Sequence, residues 1–323
     1  MLSRLSAMLR SAAALMGIGA GLVYGVTMRL LAESALFGQM MVVMSIAFLV
    51  LVPLSLGVLT VSPIERPSWG VRIFAPWVPT ILSVIVALMI GWEGAICALM
   101  GVPVLLLFSS IGGIIAGSIV SRRPSVLTAF VALPLVASPL EQRIPAPVRL
   151  TESVSEIRIA APPSVVWPLV ASVDSIRTSE QHPALFTRMG FPRPVAATLS
   201  GTGVGAVRHA TFDRGLVFTE TITEWQPGRL LSFTIRANTD SIPATTLDKH
   251  VTIGGPFFDV LQGIYELIPI DSGRSTRLVL TSRHRVSTRF NLYAGLWADR
   301  IMASIQTNIL AVLKNRAEAS AKS

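Results

Sequence analysis

The chain is short of the residues on which most catalytic and metal sites are built. Its single cysteine, Cys97, excludes a disulfide within the chain and any cage of several thiolates. Charge is scarce as well: Asp, Glu, Lys and Arg make up 14% of the 323 residues and hydrophobic residues 51%, a balance outside the range of ordinary soluble domains. The net charge of +9 comes without a dense basic run, so no nucleic-acid partner is expected. Missing too are a nucleophile with its base, a carboxylate pair in a known motif, and a glycine loop that opens a helix around a phosphate. The run "GTGVG" at 201–205 leads into a strand pattern, where a phosphate loop would lead into a helix. No cofactor is expected.

What is present is unevenly placed. Up to residue 150 the chain holds nine arginines and four glutamates as its only charges; the rest is spread over the second half as on a solvated surface. Four windows with no charge in their interior, roughly residues 11–29, 35–61, 73–92 and 94–120, each approach or exceed the roughly 20 apolar residues that cross a bilayer. A fifth, "SVLTAFVALPLVASPL" at 125–140, is shorter and carries Pro134 and Pro139. The expected organisation is a transmembrane helical domain of four or five helices over 1–145, a Pro-bearing linker at 146–151, and a soluble domain over 152–319.

Arg4, Arg10, Arg66, Arg72, Arg122 and Arg123 fall on one side of these windows, which places the N-terminus in the cytoplasm. The fifth window then decides the side of the soluble domain. As a helix it reaches about 24 Å against a hydrocarbon core of about 30 Å, which argues against a span. Its lack of charge, and the cost of leaving a long apolar run in water, tip the reading toward a span and an outer, periplasmic-type location. No window has an ionisable residue near its middle, so an anchor or assembly module fits better than a transporter. Gly17, Gly21 and Gly25 recur every four residues, as do Gly113 and Gly117, and let helices approach closely. Packing within one bundle and homo-oligomerisation explain that spacing equally.

The second half changes period. "SEIRIAAP" alternates as a half-buried strand, "SVVWPLVASV" follows as a short helix, and a polar stretch holds His182, Pro183, Pro192 and Pro194. Alternation returns in "GAVRHATF", "LVFTETITEW", "RLLSFTIRA", "HVTIGGPFFDVLQGIYELIPI" and "TRLVLTSRHRV". A long helix over about 289–319 closes the chain, with Leu292, Leu296, Ile301, Ile305, Ile309 and Leu313 as its apolar stripe. This is an α+β order, and a bent sheet around such a helix leaves room between the two.

"VSEIRIAAPPSVVWPLV", the run "GTGVGAVRHATFDRGLVFTETITEWQPGRLLSFTI" and the terminal helix resemble the START-like superfamily, the polyketide cyclase/dehydrase and lipid-transport group of SRPBCC type. The resemblance covers about 152–318 and implies a helix-grip fold, a curved antiparallel sheet around a long C-terminal helix. It implies a cavity without a fixed catalytic set. The "ANTDSIPATTLDKHV" insertion lies outside it.

Within that half, Glu220 shares a strand face with Phe218 and Ile222, and a carboxylate on an apolar face needs a partner or a raised pKa. It is a candidate general acid or base, with His209 as a second group, or else an inward polar group satisfied by Arg208 or His209. Ligand contact is expected from Phe218, Glu220, Ile222 and His284 and, on the long helix, from Tyr293 and Trp297. Trp167 and Trp225 read as packing anchors. None of His182, His209, His250 and His284 is paired at ligand spacing, and arginines flank His209 and His284, so no metal is expected. The leading expectation is a membrane-anchored domain that binds a hydrophobic small molecule or lipid at the bilayer surface. A cyclase or dehydratase type of enzyme is the second, and a sensor that regulates the membrane bundle the third.

Overall fold

In a computed structural model of the protein, the residues described are 11–34, 42–118, 124–181, 185–188, 191–238 and 253–322. Arg4, Arg10, Arg122, Arg123, His182, His250 and most of the insertion lie outside them. The chain divides into two compact units, Met1–Ala146 and Pro147–Ser323.

The first unit is helical: α1 (Ala12–Glu33), α2 (Ala47–Val61), α3 (Trp69–Phe74), α4 (Trp77–Ile90), α5 (Ala95–Ser118) and α6 (Pro124–Gln142). Among the described residues three helices are long and apolar enough to cross a membrane: Ala12–Glu33, Trp69–Ile90, which joins α3 and α4, and Ala95–Ser118. The apolar helices Ala47–Val61 and Val126–Gln142 are shorter.

The glycines singled out by spacing sit at helix crossings inside this unit. A Cβ on Gly17 would strike the Thr60 carbonyl, one on Gly21 the Thr60 hydroxyl at 2.6 Å, and one on Gly25 the Ser83 hydroxyl at 2.6 Å. Gly113 lies against the Arg72 carbonyl and Gly117 against the Arg72 side chain. Closest of all are Gly57 against Ser109 and Gly112 against Leu54, a crossing of α2 and α5 that spacing alone did not single out. At one end Arg29, only 5% exposed, is clasped by Glu93 (2.8 Å), Glu33 (3.1 Å) and the Trp92 carbonyl.

Helix α6 continues through Pro134 and Pro139. Pro134 has no N–H for the carbonyl of Phe130, four residues earlier. Ser55 Oγ donates to that carbonyl from α2 at 2.6 Å, and the Tyr24 hydroxyl donates to the next one, Val131, at 3.1 Å. The helix runs antiparallel to α2. Val126, Leu127 and Phe130 pack against Val58, Val61 and Ala116. Eleven to fifteen residues nearer the start of α2, the Glu141 carboxylate accepts the backbone N–H groups of Ile46 (2.8 Å) and Ala47 (3.0 Å), which caps that helix.

The second unit is a seven-stranded antiparallel sheet with strand order β1-β7-β6-β5-β4-β3-β2. Its strands are β1 (Arg149–Ile159), β2 (Pro194–Ser200), β3 (Val207–Phe212), β4 (Val217–Gln226), β5 (Leu230–Asn238), β6 (Phe258–Ile270) and β7 (Ser275–Val286). Its helices are α7 (Pro163–Ala171), the single turn α8 (Leu185–Arg188) and α9 (Asn291–Ser320). The sheet wraps α9 in a helix grip, and Ile159, Val166, Ile222, Leu231, Leu278, Leu310 and Leu313 form its core. Trp167 and Trp225 meet edge to face at 5.1 Å beside that core.

Three expectations are corrected here. Strand β1 begins at Arg149, inside the stretch read as linker, because residues 149–151 pair with the end of β7. β2 was not anticipated; it is built from small residues and held by pairing with β3. Leu292 and Leu296 are 81% and 55% exposed, so the apolar stripe does not start with them. The buried positions of α9 are Gly295, Ala298, Met302, Gln306, Asn308, Leu310, Val312, Leu313 and Ala317.

Candidate functional site

Alternation along the strands decides which side chains face α9. On β3 and β4, Arg208, Ala210, Phe218, Glu220 and Ile222 are buried. Arg208 and Glu220 are cross-strand partners. The Arg208 guanidinium donates from Nε to Glu220 Oε2 at 2.5 Å and from Nη1 to the Val170 carbonyl of α7 at 2.6 Å. Its Cζ stands 4.5 Å from the Phe233 ring centroid and 5.7 Å from that of Tyr265. Gly263 makes this stack feasible, since a Cβ there would lie 2.5 Å from the Phe233 ring. Burial pushes the Glu220 carboxyl above its ordinary value, and Arg208 pulls it part of the way back. Burial works against the charge of Arg208, and Glu220 more than restores it.

His209 does not join this group. It neighbours Arg208 on β3, so the two-residue period turns it to the outer face, where it is exposed. Glu220 therefore meets Arg208, and a Glu220–His209 pair is not formed. His284 is wholly buried on the inner face of β7, with its Nε2 3.4 Å from Asp299 Oδ1 of α9. Burial lowers its pKa from the usual histidine value, against the opposing pull of Asp299. Phe218 stacks edge to face on Phe212 at 5.2 Å, and Ile222 is part of the core.

Tyr293 and Trp297 are half-buried on α9, 6.4 Å apart, and Trp297 meets Phe186 of α8 at 6.5 Å. Beside Phe186 lies a shallow recess of about 20 Å³ that opens to solvent. Phe186, Phe191, Pro192 and Pro194 form one wall and Ser304, Ile305 and Asn308 of α9 the other. Among the described residues no group of three or more His, Cys, Asp or Glu could hold a metal ion.

The sequence profile of the polyketide cyclase/dehydrase and lipid transport family matches residues 149–318, from the first residue of β1 almost to the end of α9. The chain belongs to that family. Solved structures similar to this polyketide cyclase/dehydrase and lipid transport domain include a protein from Nitrosospira multiformis, 17% identical, covering 54% of this chain and 100% of its own, with a TM-score of 0.33. The Zhui aromatase/cyclase from Streptomyces sp. R1128 is 20% identical, covering 54% of this chain and 94% of its own, TM-score 0.32. Norcoclaurine synthase from Thalictrum flavum is 14% identical, covering 52% and 96%, TM-score 0.31. No curated protein matches the chain.

Residues of this polyketide cyclase/dehydrase and lipid transport domain that the sequence analysis missed are Tyr265, Asp299 and Gln306. Tyr265 was open to discovery, because parity along β6 puts it on the face of Leu267. Asp299 and Gln306 were not, because their facing depends on how α9 is rotated against the sheet.

Proposed function

We propose that the helix-grip domain holds a hydrophobic small molecule or lipid, and that the helical unit moors it to the bilayer. The observation that carries this reading is the match of residues 149–318 to the polyketide cyclase/dehydrase and lipid transport family, with the shallow recess of Phe186, Phe191, Pro192, Pro194 and Ile305 beside Ser304 and Asn308 as the opening that the described residues offer. Apolar walls with a few placed polar groups are what an apolar ligand needs. Six residues join the end of α6 to the start of β1, a reach of about 20 Å when extended. Such a tether keeps the domain near a membrane-dissolved ligand and raises its effective concentration without new contacts.

Sidedness is part of the proposal. With the N-terminus in the cytoplasm, a spanning α6 puts the domain on the outer face. The Glu141 cap on the start of α2 supports this, since it brings the end of α6 to the end of the bundle at which α2 begins.

The test is extraction of the purified full chain followed by mass spectrometry, with Ile305→Asp, which drives a charge into the recess, as the control. One apolar species should accompany the native chain and be lost from the variant. Equal yields from both, or none from either, would overturn the reading.

A second reading rests on Glu220, whose raised proton affinity in the same interior suits a general acid or base of a cyclase or dehydratase type of enzyme. It requires that Glu220→Gln abolish turnover while leaving the bound molecule in place.

A further inference from the structure

Where β1 and β7 pair on the inner face, Thr151 stands opposite His284 and Ser153 opposite Ser282. Gln306 of α9 satisfies most of the Ser153 layer, leaving only the Ser153 hydroxyl. It accepts from Ser155 Oγ at 2.8 Å and donates to the Ser153 carbonyl and to Ser282 Oγ, each at 2.9 Å. The neighbouring layer is different. Among the described residues both ring nitrogens of His284, Asp299 Oδ1, Thr151 Oγ1 and Ser153 Oγ are buried without a hydrogen-bond partner. The 3.4 Å approach of His284 Nε2 to Asp299 Oδ1 is at the edge of hydrogen-bonding reach and leaves room for a better partner. Five such atoms in one corner, with a histidine at 0% exposure among them, are costly unless a polar group completes them.

We propose that this corner receives a hydroxyl group carried by the apolar ligand, a deepening that rests on the binding reading above. Charge selects the class. An anionic head would meet the Asp299 carboxylate, and a cationic one the Arg149 guanidinium, which lies against Gly295 of α9 and whose charge acts on His284. The imidazole, neutral in this burial, offers one donor and one acceptor. A hydroxyl matches that set: it accepts from an imidazole N–H while donating to the carboxylate, with Thr151 in the same layer and Ser153 in the next. The Phe258 ring, 5.8 Å from that of His284, supplies an apolar wall beside it.

The experiment is photo-crosslinking of the full chain in lipid nanodiscs with four diazirine probes of equal chain length: an alcohol, a carboxylic acid, an amine and an alkane. Labelled peptides are mapped by mass spectrometry. The alcohol should label peptides of β7 and the first half of α9 in preference to the others, and His284→Phe should reduce that labelling by about tenfold. Asp299→Asn, at a partly exposed position that tolerates change, should let the acid in. Equal labelling of those peptides by all four probes, or an unchanged alcohol-to-acid ratio in Asp299→Asn, would overturn the hydroxyl proposal and leave the binding reading standing. Absence of interior labelling by every probe would remove both.

Discussion

Arg208 and Glu220 face each other across β3 and β4 with 2.5 Å between Nε and Oε2, at 4% and 5% exposure. Removing one partner strands the other charge away from water. Glu220→Gln should therefore cost about 3 kcal/mol, whereas replacing both, Arg208→Met with Glu220→Leu, should recover most of it. Denaturant unfolding followed by tryptophan fluorescence checks this, since Trp167 and Trp225 lie beside the same core. A double variant weaker than Glu220→Gln would contradict it.

Arg316 ties the end of α9 to the segment before α8. It donates to Glu180 from Nε at 2.7 Å and from Nη2 at 2.9 Å, and to the carbonyls of Asp174 and Ser175. The hydrogen bond from Arg316 is the main cause that holds the Glu180 carboxyl at about 2, below its ordinary 4.5. A depressed carboxylate pKa means that the unfolded chain binds more protons between those two values. Stability from this contact is thus present above pH 4.5 and is lost as pH falls toward 2. Thermal unfolding between those limits should fall less steeply with acid in Glu180→Gln than in the native chain.

The hydroxyl of Ser55 and the proline at 134 are coupled through a carbonyl that neither owns. Ser55→Ala should destabilise the helical unit by about 0.6 to 1.7 kcal/mol. In a Pro134→Ala background the restored N–H serves Phe130, and the same Ser55 change should cost almost nothing. A double-mutant cycle of melting in nanodiscs reads the difference, and additive costs would remove the assignment.

Topology is the fourth prediction. Trypsin added outside intact cells that express the chain should cut after Arg143, which is exposed and lies just beyond α6. Protection until the membrane is opened would place the helix-grip domain in the cytoplasm.

Much of this was legible in the chain. Alternation located β3, β4, β5 and β7, and parity alone set Glu220 beside Phe218 and Ile222 on the inner face. The choice between Arg208 and His209 as its partner was open until the pairing of β3 with β4 set Arg208 opposite Glu220 and turned His209 away. β2 was hidden because "PVAATLS" has small residues and a proline where alternation needs bulk, and its pairing with β3 is a tertiary matter. The His284–Asp299 corner was hidden because it depends on the rotation of α9, which the exposed leucines 292 and 296 misdirect. The survival of α6 through Pro134 depends on Ser55, 75 residues before the Phe130 carbonyl that it meets and beyond any local pattern.

The Glu141 cap also sets an order of events. Ile46 and its cap are 95 residues apart, so on a ribosome adding about 5 to 20 residues per second the start of α2 waits roughly 5 to 20 s for the carboxylate that covers it. Until then its first amides must be met by water or by lipid headgroups. A chain halted anywhere before residue 141 never obtains that cover, which makes the last helix the latch of a bundle whose other members are already in place.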